Sequence, residues 1–428
     1  MIRPTALWRT VAVLGISGIA LAGCGDDSST DSSGASPTSG TTSTGAASSE
    51  VQPGDGTLTI GTLLPQTGSL AFLGPPEFAG VQLGVNDVNA AGGVLGKDVV
   101  KYDSDSGDTS TDIASQSVGR LLSQKVDTII GAASSGVSFT VIDQITQAGV
   151  VEFSPANTSP DFTDYADKGL YFRTAPSDVL QGRVLGDVIL GDDNAAIGIL
   201  ALQDPYGTGL AENVEKSVTD GGGEIVAKKI YDPKAADFSA DVSAVLAEDP
   251  DAIALISFDE AKKIVPELVS QGFDMSKVYF VDGNLADYSK DFPAGTLEGA
   301  KGTLPGAQAP DEFRTKLLAV NPKLTDFSYA AESYDATVLT ALAATAAKND
   351  SGTAIASQLV AVSKDGEKCT TYADCAELLA AGTDIDYDGV SGPVEFSDAG
   401  DPTEATIGVY QYGADNTYTF LEAQEGKL

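Results

Sequence analysis

Four short segments carry side chains able to hold a small charged molecule, and each lies between an apolar run and a helical one. In GAASSGVS (131–138), Ser134 and Ser135 follow a buried-type strand and open a helix. Free backbone N–H groups and hydroxyls at such a turn suit a carboxylate, although the same two serines also suit plain helix capping. SPANTSP (154–160) repeats the arrangement with Thr158, and QDPYGTG (203–209) places Tyr206 just past a strand, in a polar loop. VDGN (281–284) ends a strand on Asp282, an acid able to face an ammonium. Donors for an anion together with a fixed acid for a cation are what a zwitterion requires, and charge-assisted hydrogen bonds of that kind contribute roughly 1.5–3 kcal/mol each.

These loops need a scaffold, and the chain supplies one from Gly56 onward. Strand-type runs TLTIGTLLP (57–65), DVVKYDSD, VDTIIGA and VVEFSPA alternate with helical PEFAGVQLGVNDVNAA (76–91), DIASQSVGRLLSQ and SFTVIDQITQAG. The rhythm restarts near Ser177: strands AAIGILALQ, EIVAKKIY, AIALIS and KVYFVDG interleave with four helical stretches, and helices PDEFRTKLLAV and YAAESYDATVLTALAATAAK follow. This pattern predicts an α/β protein with two Rossmann-like parallel sheets, and open parallel sheets bind ligands at the carboxyl ends of their strands. PVEFSD, ATIGVYQY and YTFLEA predict a tail of short strands.

Composition removes several functions. Lys and Arg number 25 against 61 Asp and Glu, a net charge of −36, which repels nucleic acid and anionic membranes. Histidine is absent, so a His-dependent triad is impossible, and no G-x-S-x-G elbow occurs. A Ser-Lys or paired-carboxylate hydrolase stays open by composition, but no spacing singles one out; neither a catalytic residue, a cofactor nor a metal site is expected. Arg3, Arg9 and the apolar run Val11–Ala22 have the form of a secretory leader, and LAGC (21–24) resembles a bacterial lipobox, implying a lipid on Cys24. The sole tryptophan, Trp8, lies in that leader. Residues 25–56 are mostly Ser, Thr, Gly, Ala and Pro and read as a flexible tether. Cys369 and Cys375 are the only other cysteines, and an even pair in an exported chain points to a disulfide rather than half a zinc site.

From Thr57 to the C-terminus the ordered motifs IGTLLPQTGSLAFLGPPEFAGVQLGVNDVNAAGGVLGK, GAASSGVS, SPANTSP, FRTAPSD, PYGTG and DYDGVSGPVEF resemble the branched-chain amino acid binding proteins of ABC importers. The resemblance implies a type I periplasmic-binding-protein fold: lobe 1 from 57–176 and 304–385, lobe 2 from 177–303 and 386–428, joined by three hinge strands. It implies a monomer anchored to the outer face of the cell membrane through Cys24, delivering an amino acid to permease subunits. It places Ser134 and Ser135 at the ligand carboxylate, Ala156 and Thr158 at the head group, and Tyr206 over the ligand from the opposite lobe. Asp282 stands where leucine-type binders carry a glutamate for the α-ammonium, Ser257 and Phe258 lie near a further contact, and Leu73 replaces a tyrosine over the ligand. A ligand-sensing lipoprotein of the same fold is the main alternative.

One motif competes with this reading. DIDYDGVSGPVE (384–395) fills every specified position of a calcium loop, with CAELLAAG as a possible entering helix. Pro393 disfavours helix just before Glu395, and Ser391 occupies a position usually aliphatic, so the stretch is expected to be a glycine-turned connection near the hinge.

Overall fold

The computed structural model describes residues 51–428; Cys24 and the tether up to residue 50 lie outside the described residues. The first sheet contains β1 (Thr59–Leu64), β2 (Val100–Asp105), β3 (Thr128–Gly131), β4 (Val151–Ser154) and β5 (Tyr171–Arg173), all parallel, in the order β2-β1-β3-β4-β5. Helices α1 (Gly74–Ala90), α2 (Ile113–Ser123) and α3 (Ser135–Gln147) make the first three crossovers. β1, β3 and β4 are buried along their whole lengths, as strands covered on both faces must be.

After β5 the chain crosses to the second sheet through α4 (Asp178–Gly191). There β6 (Ala196–Leu202), α5 (Pro205–Asp220), β7 (Glu224–Tyr231), α6 (Ser239–Leu246), β8 (Ala252–Ile256), α7 (Ala261–Ser270), β9 (Val278–Phe280) and β10 (Lys301–Pro305) follow. The chain then returns with α8 (Asp311–Val320), α9 (Ala330–Ala347), α10 (Gly352–Leu359), β11 (Glu367–Cys369), α11 (Tyr372–Ala380) and β12 (Ile385–Tyr387). It crosses a third time into β13 (Glu404–Tyr412) and β14 (Tyr418–Lys427), which pair antiparallel on the edge of the second sheet, in the order β14-β13-β10-β9-β8-β6-β7.

Each sheet has its own large apolar core. In the first, α9 is buried over most of its length and lies directly on α1. Two glycines one turn apart permit that approach. A Cβ on Gly80 would collide with the Ala330 carbonyl, and one on Gly84 would sit 2.8 Å from Thr337 Cβ. Cys369 and Cys375 are bonded, tying β11 to the first turn of α11.

Residues 386–402 depart from the expected lobe boundary. Val394 and Phe396 belong to the first core, and the Phe396 ring meets Phe153 and Phe172 edge-on at 5.9 and 5.6 Å. PVEFSD forms no strand, only isolated bridges at Pro393 and Phe396. The apolar residues of this stretch are drawn to the open face of the first sheet, and the crossing into the second comes at β13. The calcium-like loop is a tight turn in which Gly389 N–H donates to the Gly392 carbonyl at 3.0 Å. Its acids already have a cation. Lys368 Nζ lies 2.9 Å from Asp386 and 2.8 Å from Asp388, with Glu395 at 4.0 Å. No helix follows Glu395, and Ser391 is a serine because its N–H and hydroxyl both donate to buried Asp335, at 2.7 and 2.6 Å.

Candidate functional site

The strand orders create two topological switch points, between β1 and β3 in the first sheet and between β6 and β8 in the second. Loops leaving such points diverge and open a crevice at the carboxyl ends. The crevices face each other. The loops after β1, β3 and β4 bring Leu70, Leu73, Ala133, Ser134, Ser135 and Ala156 to a single cavity, and those after β6, β8 and β9 bring Tyr206, Phe258, Asp282 and Gly283. The cavity is shut to about 10 Å³, room for about one water, so anything larger enters only when the two sides part.

On the first side, Ser134 caps α3, its hydroxyl accepting from Val137 N–H at 3.3 Å. Ser135 opens the helix, and its hydroxyl accepts from Ser159 N–H at 3.3 Å. Ser134 thus caps the helix, and both serines line the cleft. Ala156 N–H is committed to Ser154 Oγ at 3.2 Å. Thr158 is buried and is not part of the cavity wall; its carbonyl accepts from Asp178 N–H at 2.7 Å, and its hydroxyl has no partner.

On the second side, Asp204 caps α5 by accepting from Gly207 N–H at 2.7 Å, which fixes the first turn and Tyr206 with it. The Tyr206 ring stacks on Phe258 at 5.4 Å, and its hydroxyl donates to Asp282 Oδ1 at 2.7 Å. Ser257 does not reach the cleft. Its hydroxyl donates to the Phe258 carbonyl and accepts from Asn284, bracing the loop.

Asp282 is the centre of the arrangement. Besides Tyr206, Gln181 Nε2 donates to Oδ1 at 2.9 Å, and the Tyr329 hydroxyl donates to Oδ2 at 2.7 Å. Tyr329 precedes α9 and so comes from the first lobe; its backbone is left-handed, with φ of 58°. Burial lifts the Asp282 pKa, while the bonds from Tyr206, Tyr329 and Gln181 hold it down. Burial and the Asp282 charge together raise both tyrosines well above the usual value. Sequence reasoning missed Tyr329, Gln181 and Asp178. Tyr329 and Gln181 stand in no strand-to-helix turn of the kind that marked the other candidates; Asp178 does open a helix soon after β5, at the end of FRTAPSD, but was not singled out there.

Two facing switch points around one cleft define a two-lobed solute-binding protein. The profile of the periplasmic binding protein family matches residues 57–417, and the chain belongs to that family, whose members act outside the cytoplasm and bind solutes without turning them over. Leu/Ile/Val-binding protein homolog 3 of Brucella melitensis is 29% identical over 185 residues, 43% of this chain and 50% of the relative. The chain thus spans half the length of that curated relative. A substrate-binding protein of a chemotactic signal transduction system, BasB of Halobacterium salinarum, is 27% identical over 358 residues, 81% of this chain and 84% of the relative. The fold is that of the branched-chain amino acid transporter substrate-binding protein LivJ from Streptococcus pneumoniae, solved with isoleucine. The TM-score is 0.70 at 24% identity, covering 87% of this chain and 100% of that one.

Proposed function

We propose that the protein captures an aliphatic amino acid between its lobes and presents it to the membrane subunits of an ABC importer, anchored through Cys24. The observation that carries this reading is Asp282, a buried acid on one lobe facing the Ser134–Ser135 helix start on the other. The helix N-terminus suits a carboxylate and Asp282 an ammonium, and both line the same cavity. Ser135 and the α3 N–H groups receive the carboxylate, Asp282 the amino group, and Leu70, Leu73 and Phe258 form the apolar wall. A ligand bonded to both lobes binds the closed form better than the open one, and that difference drives closure. Relatives named as Leu/Ile/Val-binding proteins support the aliphatic choice. The likeness to BasB supports a second reading, in which the loaded protein contacts a signal transducer instead of a permease.

Thermal denaturation against a panel of amino acids, amides and small carboxylates tests this reading. Leucine, isoleucine or valine should raise the midpoint by several degrees at millimolar concentration. No shift with any aliphatic amino acid would sink it.

A further inference from the structure

Beside the shut cavity the two lobes enclose a larger groove of about 660 Å³. Ala71, Arg314 and Phe327 line it from the first lobe, and Phe258, Lys262 and Gly283 from the second. Phe258 and Gly283 also line the cavity, and Ala71 follows Leu70, another of its walls. The partition between the two spaces is thin. The Phe258 ring packs over Gly283 so closely that a Cβ there would sit 2.8 Å from Phe258 Cδ1. Its two halves belong to different lobes, so it opens when the lobes part. Two cations line the groove. Lys262 is neutralised by Asp259 at 2.8 Å and Asp291 at 3.7 Å. Arg314, on α8, pairs with no carboxylate among the described residues. Its guanidinium carbon lies 4.8 Å from the Phe327 ring centre, and its buried Nε donates to nothing. Asp326 also lines the groove, but its Oδ1 accepts from the Ser328 N–H and hydroxyl, at 2.9 and 2.7 Å, and from no arginine. Burial raises its pKa, and those bonds and the Arg314 charge oppose the rise. The last acid of the groove, Asp287, is on the second lobe and accepts from Ser289 N–H at 2.9 Å. A guanidinium is always charged and carries five N–H donors, and leaving them half-buried without an acceptor is costly.

We propose that Arg314 is the seat of a second binding site, an outer subsite for a carboxylate. The fork of its two terminal nitrogens matches the two oxygens of a carboxylate, and the contact with Phe327 holds that fork in place before the anion arrives. The carboxylate has two sources. One is the far end of an amino acid whose head group lies in the cavity and whose side chain passes the Phe258 partition. The other is a separate small carboxylate lodged in the groove. The first source rests on the amino acid reading above; the second does not. In the first case the preferred substrate is a long 2-amino dicarboxylate, its methylene chain lying against the Phe258 ring.

The test uses the full chain, its Arg314→Met and Arg314→Gln variants, and two amino acids matched in length. L-2-Aminosuberate ends its side chain in a carboxylate where L-2-aminooctanoate has a methyl group. Calorimetry should give wild type a Kd at least tenfold lower for L-2-aminosuberate, and both variants a ratio of about one. That result places the carboxylate on the bound amino acid. Without such a preference, millimolar glutarate should raise the wild-type melting midpoint by several degrees, with and without L-isoleucine, and leave the variants unmoved. That result assigns a separate carboxylate to the groove. Neither effect in wild type would overturn the proposal, whatever the variants do. Either effect persisting undiminished in both variants would also overturn it, by moving the anion away from Arg314. A wild type that binds no amino acid, yet gains from glutarate what the variants do not, would remove the amino acid reading alone and leave the outer subsite standing.

Discussion

Tyr329→Phe removes one hydroxyl and should change how readily the lobes close. The ring is buried and phenylalanine keeps its packing, so the loss is confined to the 2.7 Å bond to Asp282 Oδ2. Hydrogen bonds to charged groups contribute roughly 1.5–3 kcal/mol. Tyr329 belongs to the first lobe and Asp282 to the second, so the bond exists only when the cleft is shut. Its full value therefore falls on the closed state, lowering the closed-to-open ratio by about 10- to 100-fold, since about 1.4 kcal/mol is a factor of ten. Apparent affinity falls in proportion to the closed population that is lost. Tyr206→Phe removes an equally short bond to the same carboxylate, but within the second lobe, where opening does not break it. Small-angle scattering with and without L-isoleucine, and calorimetric Kd, separate the two. Tyr329→Phe should need far more ligand to reach the compact form, whereas Tyr206→Phe should compact fully whenever it is saturated. Wild-type Kd and wild-type compaction in Tyr329→Phe would refute the argument that this bond latches the lobes.

Gly80→Val should lower stability by about 1–3 kcal/mol, because the new side chain meets the Ala330 backbone and α1 must move off α9; a urea midpoint equal to wild type contradicts that packing. Burial lifts Asp204 to about 6, Asp127 to about 7 and Glu332 to about 8. Each holds its proton more tightly folded than unfolded, so the stability gained is full below about pH 4 and is lost as pH rises through those values. The melting midpoint should therefore be higher at pH 5 than at pH 8.5, and the reverse order would show that these acids are not buried in this way. Lys368→Met should cost no more than about 1 kcal/mol, because the lysine is half exposed, and millimolar calcium should leave the wild-type midpoint unmoved; a rise of several degrees would mean the ion displaces the ammonium.

Local pattern carried much of the architecture. The all-buried runs of β3 and β8, the Gly149 stop after α3 and the restart at Ser177 follow from strand burial and helix capping, which are properties of neighbours in the chain. Short elements escaped. β5, β11 and β12 have three residues each, too few for a period to emerge, and they exist because an adjacent strand offers hydrogen bonds. α11 was legible only as the entering helix of a calcium loop, a context the fold does not provide. The candidate loops were legible because strand-to-helix turns must be capped by Ser, Thr or Asp, and those same groups bind ligands.

Side-chain identity by itself determined that this chain has no histidine chemistry, repels nucleic acid, and carries an anion-suited helix start and a cation-suited acid. Only tertiary structure decided what those groups meet. Asp282 is joined by Tyr329 from 47 residues away and by Gln181 from 101, and the calcium-like acids are joined by Lys368 from β11. Ser257 was turned aside by Asn284, 27 residues on. A short motif specifies which atoms a loop presents. Whether those atoms face a ligand, a lysine or a neighbouring loop depends on which distant segment buries more apolar surface against them.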